Sequence, residues 1–246
     1  LRRLLGAALP VHLPTLYLEG LPALRSWVSS RWPRLPRVLV TSTGWFFNDH
    51  FKLLAAKAVE RGSKLVIAQH GGAYGLHEVL HTERHERAIA DDYWTWGWQE
   101  PASPPATARL QPMPSPRLSF PARPEELDLR PERGWLFVLH ALPRYPYTFY
   151  FCNVPAYHRY TSYLDSREAF LAALRPEALA AMTVRLPPED FGWEMRARLE
   201  GRFPRLRFDD GRRALVRRMR QACLTVIEHP QSSMLEALAA DAPGQA

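Results

Sequence analysis

Short apolar runs alternate with stretches of helical spacing in the first hundred residues. Residues 37–42 and 64–68 are rich in β-branched and apolar side chains, which predicts two buried strands. Between them the apolar positions recur at helical spacing, Asn48 or Asp49 can cap that helix, and Gly62 stands where a C-terminal glycine belongs. A strand, a helix and a second strand in this order predict a parallel sheet.

The pattern continues for about thirty further residues and then stops. Helical spacing over 76–89 and an aromatic run over 92–98 predict one more helix and one more strand. Between 99 and 133 there are nine prolines and few apolar runs, which is typical of a linker. We therefore expect a first Rossmann-like domain over residues 1–100 and a proline-rich linker over residues 101–132.

The second half restarts the alternation. Residues 135–140 predict a strand, and three further strands at 182–186, 206–208 and 224–227 are each followed by helical spacing. This order predicts a second Rossmann-like domain over residues 133–246. The fold class is thus predicted as α/β, with two Rossmann-like parallel-sheet domains.

The two ends of the sequence predict incomplete domains. The chain begins at Leu1 rather than Met, and it stops soon after its last predicted helix. We expect a molecule truncated at both ends, with a partial first domain and a C-terminally incomplete second domain.

Composition narrows the function classes. A hydrophobic fraction of 46% and a charged fraction of 23% are those of a folded globular protein. The net charge of +7 favours anionic partners, which include nucleic acid, anionic lipid headgroups and the phosphates of nucleotide sugars. Two cysteines, Cys152 and Cys223, provide no disulfide framework and suit a reducing cytoplasm. The longest apolar runs are too short to predict a membrane span.

Two loops of the first half carry candidate chemistry, because ligands of open parallel sheets bind beyond the carboxyl ends of the strands. The hydroxyl-rich loop containing Ser42 leads to a helix start, where backbone N–H groups favour an anion, although an ordinary capping turn has the same residues. The loop 69–75 has three glycines that allow close backbone approach and His70 as an acid–base group near neutral pH. A tight turn with an incidental histidine is its alternative interpretation.

The second half offers arginines and another helix start. Arg144 and Arg185 follow or end predicted strands, where a guanidinium can hold phosphate oxygens. The loop 228–236 joins a buried strand to a helix and provides hydroxyls for a phosphate and a carboxylate for ribose hydroxyls. Its alternative interpretation is an ordinary capping box, since Ser233 and Glu236 have the required spacing.

A zinc-protease pattern must be weighed as well. His77, Glu78 and His81 have the spacing in which two histidines one helical turn apart bind zinc and the glutamate polarises water. The residues that follow are polar where that pattern needs an apolar buried face, so we expect the match to be coincidental.

Several segments together resemble a family of bacterial transferases assigned to O-antigen and other surface-polysaccharide biosynthesis. The resemblance covers about residues 37 to 243. The residues that carry it are Thr41 and Ser42 with Phe51 and Lys52, the segment 62–65, Gln69 to Gly72 with Tyr74 and Gly75, Asp91 or Asp92 with the Thr-Trp-Gly-Trp run 95–98, the segment 143–145, Val184 to Leu186 with Gly192 and Trp193, and Ser232 and Ser233 with Leu235 and Glu236.

The resemblance implies a two-domain glycosyltransferase of the GT-B type, whose two Rossmann-like domains face each other. The loop that begins at Gln69 is also similar to one in bacterial capsule sugar transferases. A nucleotide-sugar donor would bind to the second domain, and a lipid-linked or polysaccharide acceptor to the first. The implied acceptor residues, all in the first-half loops, are Ser42, Gln69, Gly71, Gly72 and Tyr74.

The leading hypothesis is metal-independent glycosyl transfer without a cofactor. Donor binding is expected from two arginines and the last loop, namely Arg144, Arg185, His229, Ser232, Ser233 and Glu236. His70 is the first candidate for the base, with Asp49 and Glu78 behind it. We expect a cytoplasmic protein that binds no nucleic acid and contacts an anionic membrane peripherally at its inner face. A non-catalytic nucleotide-binding or carbohydrate-binding remnant is the alternative, followed by a zinc hydrolase.

Overall fold

The computed structural model describes residues 2–100, 107–119, 134–141, 143–144, 156–240 and 244–245, the side chains of 156–159, 244 and 245 excepted. The chain divides into two compact units. The first comprises Leu1–His70 and Thr82–Met113, and the second comprises Gly71–His81 and Pro114–Ala246. Cys152 and Tyr145, the last residue of the segment 143–145, lie outside the described residues.

A parallel sheet forms the centre of the first unit. Its strands are β1 (Val38–Thr41), β2 (Lys64–Ala68), β3 (Asp92–Thr95) and β4 (Arg109–Pro112), and they lie side by side in this order. The first three strands confirm the prediction. Strand β2 has the predicted bounds, whereas β3 ends three residues earlier than predicted. The predicted linker contributes β4, because the backbone of residues 109–112 pairs with β3 despite the prolines around it.

The helices described in this unit precede or connect the strands. They are α1 (Arg2–His12), α2 (Leu21–Arg31), α3 (Gly44–Phe47), α4 (Asp49–Val59) and α5 (His81–Ile89). The start and end of α4 confirm the predicted signals. The Asn48 side chain accepts a hydrogen bond from the Phe51 N–H, and Gly62 adopts the positive φ of 86° that favours glycine after a helix.

The helix predicted over 76–89 is shorter than expected. Residues 71–80 form turns and irregular backbone, Gly75 has a φ of 76°, and α5 begins only at His81. The prediction of a helix over 76–80 is therefore wrong, and His77 and His81 are not one helical turn apart. Within the described part of the chain, no group of three His, Cys, Asp or Glu side chains could hold a metal ion. The zinc-protease pattern thus has no structural support.

The second unit contains the larger sheet. Its strands are β5 (Trp135–Val138), β6 (Met182–Arg185), β7 (Arg207–Phe208), β8 (Leu224–Ile227) and β9 (Gly244–Gln245). All the pairings are parallel, and the spatial order is β7, β6, β5, β8, β9. Counted within this unit, that is the order 3-2-1-4-5 of a doubly wound Rossmann-like sheet.

The described helices of the second unit are α6 (Pro116–Ser119), α7 (Ala156–Ala173), α8 (Pro176–Ala181), α9 (Met195–Arg202), α10 (Leu215–Gln221) and α11 (Ser232–Ala239). The predicted alternation of strands with α9, α10 and α11 is confirmed. The sequence pattern did not predict α7. None of the described helices combines the length and the apolarity that crossing a bilayer requires.

Strand β5 lies at the middle of the core of the second unit. Phe137 packs into a cluster with Leu171, Met182 and Leu199, whereas Leu136 packs on the opposite face of the sheet against Met219. Successive residues of a strand point to opposite faces, so an uninterrupted apolar strand buries both. This explains why residues 135–138 lack alternation and still form a strand.

Candidate functional site

The order of the strands locates a candidate site in the second unit. The first strand of this unit, β5, lies between β6 and β8. The connection after β5 leads to β6 on one side of the sheet, and the connection after β8 leads to β9 on the other side. Ligands of doubly wound sheets bind at this switch point, beyond the carboxyl ends of the two strands. The residues just beyond those ends are His140 after β5, and Glu228 and His229 after β8.

A buried ion pair fixes both strand ends. The Arg167 guanidinium on α7 donates to both carboxylate oxygens of Glu228, over 2.5 and 2.9 Å, and to the His140 carbonyl over 3.0 Å. The second carboxylate oxygen of Glu228 also accepts the His140 N–H at 2.7 Å. Two tyrosine hydroxyls complete the arrangement, since Tyr160 donates to the His140 carbonyl and Tyr163 to the Glu228 carbonyl. The backbone at the switch point is therefore held rigidly by side chains of α7.

Two histidine rings face each other at this point. The centroids of His140 and His229 are 4.6 Å apart. Burial, with smaller effects of His229 and Arg167, lowers the pKa of His140 to about 4, and burial together with His77 lowers the pKa of His229. Both rings are therefore neutral at pH 7. In the described part of the chain, Nε2 of His140 and Nδ1 of His229 are buried with no hydrogen-bond partner, which is typical of atoms that a ligand or water satisfies.

The start of α11 lies next in the chain after His229. Gln231 precedes the helix as its N-cap and makes no side-chain capping bond. The Ser232 hydroxyl instead accepts the Gly72 N–H at 3.1 Å, and a Cβ at position 72 would lie 2.6 Å from the Ser232 nitrogen. Gly72 thus allows a close approach, as its type predicts, but the partner is the backbone of α11.

The capping box suggested for α11 does not form. Gln231, rather than Ser233, is the N-cap, and the Glu236 carboxylate accepts a hydrogen bond from Arg117 on α6 at 2.5 Å. Glu236 is buried, and one of its oxygens is engaged by this arginine. Ser233 is half-buried in the first turn of the helix.

The two predicted phosphate-binding arginines have protein partners. Arg185 ion-pairs with Asp209, which also pairs with Arg218 at 2.7 Å. Arg144 is exposed, donates to the Gly192 carbonyl at 3.1 Å and lies with its guanidinium carbon 5.6 Å from the centre of the Trp193 ring. Arg185 is thus ion-paired and half-buried, and Arg144 is the more accessible of the two.

His70 lies at the carboxyl end of β2 in the first unit. Its Nδ1 is 3.5 Å from a carboxylate oxygen of Glu86 on α5, and the Phe46 ring contacts it edge-on at 5.6 Å between centroids. Burial lowers the pKa of His70, and a hydrogen bond with the Ser42 backbone opposes that shift. The ring is therefore neutral at pH 7 and able to accept a proton.

The other two candidate bases have different surroundings. The Asp49 carboxylate accepts a hydrogen bond from Tyr17 and pairs with Lys52 at 2.9 Å, and these contacts lower its pKa. An ionised carboxylate held by two donors is a weak proton acceptor at pH 7. Glu78 is exposed in the 71–81 segment, which belongs to the second unit.

Gln69 links two of the motifs that carried the resemblance. Its side-chain oxygen accepts the Trp96 N–H at 2.8 Å and the Trp98 indole N–H at 2.7 Å, and Gln69 itself is buried. Tyr74, near the end of the same loop, is buried as well, while Gly71 is partly exposed. Gln69 and Tyr74 therefore shape the loop, and their predicted contact with an acceptor stays a prediction.

The model of the LIC12162 family of transferases matches residues 1–244 of the chain. The chain belongs to this family. No curated protein matches it. The activity class is thus transfer of a chemical group.

Four residues that the structure brings forward were not candidates from the sequence, although two of them stand at positions that the sequence indicated. His140 and Glu228 stood at predicted strand ends, so the rule that ligands bind there pointed to them. Arg167 and Glu86 lie on helices and are buried charged residues, which a local pattern of apolar positions does not distinguish from surface charges. Only the tertiary structure places them beside the histidines.

Proposed function

We propose that this transferase is a glycosyltransferase of the GT-B type. It would move a sugar from a nucleotide-sugar donor to a lipid-linked or polysaccharide acceptor in bacterial surface-carbohydrate (O-antigen or capsule) biosynthesis. The observation that carries the proposal is the switch point of the second sheet, where His140 and His229 present buried, unpartnered ring nitrogens beside the start of α11. Polar atoms of this kind at the switch point of a Rossmann-like sheet fit a nucleotide ligand.

The donor phosphates are assigned to the start of α11. Its first N–H groups carry partial positive charge, and Gln231 provides no side-chain cap that would occupy them. Ser233 adds a hydroxyl in the first turn, and Arg144 adds a positive charge that is accessible from solvent. These groups supply positive potential for a diphosphate, so donor binding without a metal ion is part of the proposal.

The base is assigned to His70. In the proposed step the acceptor hydroxyl gives its proton to the neutral imidazole, and its oxygen forms the bond to the anomeric carbon. The bond from that carbon to the donor phosphate oxygen breaks, and the nucleotide phosphate leaves with the electron pair. The neighbouring Ser42, whose backbone hydrogen-bonds His70, is proposed to contact the acceptor.

Contact with the membrane is proposed through α1. This helix has no buried residue, exposes Leu4, Leu9 and Val11 by 72%, 49% and 75%, and begins with two arginines. Apolar side chains beside arginines fit the surface of an anionic bilayer, and the net charge of +7 acts in the same direction. A cytoplasmic protein peripheral to the inner face of the membrane would meet a lipid-linked acceptor there.

Sedimentation with vesicles tests this contact. Vesicles with 30% anionic lipid should bind the protein, zwitterionic vesicles should bind it at least about tenfold more weakly, and Leu4→Glu with Leu9→Glu should abolish binding. Equal binding by the double variant would reject α1 as the contact.

Titration calorimetry with UDP, GDP and CMP, followed by transfer assays with the corresponding nucleotide sugars, tests the activity. We expect one of these nucleotides to bind, and we expect His229→Ala to weaken that binding by about tenfold or more. Arg205→Ala is the control, since Arg205 is an exposed arginine of the same unit. Nucleotide binding without transfer to any lipid-linked or polysaccharide acceptor would favour a non-catalytic remnant instead.

A further inference from the structure

We propose that Glu86 is a positioning residue for His70, which orients the imidazole and stabilises the imidazolium formed when that ring accepts the acceptor proton. This inference rests on the proposed function, in which His70 is the base. Glu86 belongs to α5, and His70 follows β2, so two elements of the same unit bring the carboxylate and the ring together.

The geometry of the pair is that of a base and its orienting group. Oε1 of Glu86 lies 3.5 Å from Nδ1 of His70, and Oε2 accepts the Tyr93 hydroxyl at 2.9 Å. Glu86 and Tyr93 are completely buried, while the His70 side chain keeps 17% of its surface exposed. The carboxylate is thus shielded from solvent, whereas the ring it faces reaches the surface.

Burial makes the ionised form of the Glu86 carboxylate unfavourable unless hydrogen bonds or positive charges stabilise it. A buried ionised carboxylate without hydrogen bonds or charge partners is strongly unfavourable. In the same helix Glu83 is equally buried, but it pairs with Arg87 at 2.9 Å, one turn along α5. Glu83 has an ion-pair partner within its own helix, and the contacts of Glu86 include the His70 ring and the Tyr93 hydroxyl.

Two further contacts help to hold the His70 ring beside this carboxylate. The Ser42 backbone and the Phe46 ring contact the imidazole from the segment after β1, and Glu86 faces it from α5, with Tyr93 of β3 behind. When the ring takes a proton, the new positive charge lies beside a carboxylate in a region of low dielectric, where the attraction is stronger than in water. A carboxylate that orients a histidine base and stabilises its protonated form raises the rate of proton transfer.

The test replaces the carboxylate by its neutral isostere. Glu86→Gln should lower kcat by about 100-fold with little change in KM, because general-base catalysis contributes about 10²–10⁴-fold. NMR titration of labelled histidine should show a lower pKa for His70 in this variant. Glu83→Gln is the matched control, since it removes an equally buried carboxylate of the same helix. Glu86→Asp should restore part of the lost kcat because the charge is retained.

The outcomes distinguish this inference from the proposed function. An unchanged His70 pKa in Glu86→Gln, or a kcat equal to that of Glu83→Gln, would overturn the positioning role. If the wild-type protein transfers no sugar, the proposed function fails, and the NMR titration still decides whether Glu86 acts on His70. If Glu86→Gln does not fold, the milder Glu86→Asp takes its place, and an unchanged His70 pKa with an unchanged kcat there overturns the proposal.

Discussion

The backbone of Gly72 lies directly against the start of α11, with its N–H donated to the Ser232 hydroxyl and no room for a Cβ on its Cα. The segment that contains Gly72 therefore supports the helix start to which we assign the donor phosphates. A side chain at position 72 must displace backbone atoms of residues 231 and 232, since a Cβ would lie 2.6 to 2.9 Å from them.

The Gly72→Ala substitution should destabilise the protein and weaken nucleotide binding. We expect a loss of about 1–3 kcal/mol in the free energy of unfolding, as in other overpacked sites, measured by urea denaturation. Nucleotide affinity, measured by calorimetry, should fall because the helix start shifts. Gly71→Ala is the matched control, since a Cβ there would meet the Tyr74 ring at 3.4 Å, an ordinary contact. Equal effects of the two substitutions would contradict the role of the close approach.

Replacing Arg167 should lower the free energy of unfolding more than the Gly72→Ala substitution does. Arg167→Met leaves the Glu228 carboxylate buried without its positive partner, which typically costs about 3–5 kcal/mol. Arg196→Met provides a control, because Arg196 and Glu200 form a pair that is half-exposed and worth at most about 0.5 kcal/mol. Both losses in the free energy of unfolding should be measured by chemical denaturation at pH 7. Similar losses for the two variants would show that the ion pair of Arg167 with Glu228 stabilises the protein no more than a surface ion pair does.

The sequence predicted most strands of the two sheets, because β-branched and apolar runs bounded by turn residues are local signals. Residues 64–68 and 224–227 form strands with the predicted bounds. The strand β4 could not be predicted in the same way, since residues 109–112 have an exposed or half-buried, proline-flanked sequence, and only pairing with β3 makes them a strand. The α5 start was misplaced because helical spacing continues back to residue 76, whereas residues 71–80 form turns and irregular backbone and belong to the second unit.

The loops that carry the candidate residues of each unit could be predicted from the sequence, but the contacts that support those loops could not. The rule for parallel sheets led to the loops after β1, β2 and β8, which contain Ser42, His70 and His229. Neither the ion pair of Arg167 with Glu228 nor the contact between Glu86 and His70 has a signal in the local sequence, because each joins residues from different elements. Charged residues on helices are usually solvated, so their burial becomes visible only in the folded chain.

Two candidate bases of the first unit can be compared directly by kinetics. His70→Ala should reduce transfer by about 10²–10⁴-fold, because a neutral histidine accepts the acceptor proton. Asp49→Asn should reduce transfer by less than about tenfold, since the Asp49 carboxylate is held ionised by Tyr17 and Lys52. The measurement is kcat under saturating donor and acceptor, with circular dichroism to verify folding. A larger loss for Asp49→Asn than for His70→Ala would exchange their roles.

The free energy of unfolding should decrease in acid because His140 is buried in its neutral form. Its pKa is lowered to about 4 by burial, whereas an exposed histidine in the unfolded chain titrates near about 6.5. Between these two values the unfolded chain binds the proton and the folded protein does not, so the free energy of unfolding decreases as the pH falls through this window. Above about pH 6.5 the group has no effect, and the loss is complete below about pH 4, at no more than about 3 kcal/mol.

This pH dependence is measured by urea denaturation between pH 4 and pH 8. His140→Asn should flatten the profile between about pH 4 and 6.5, while His12→Asn, in exposed α1, should leave it unchanged. A profile that is the same in wild type and His140→Asn would show that the ring at the switch point is not held neutral by burial, and the proposed donor contacts would lose their basis.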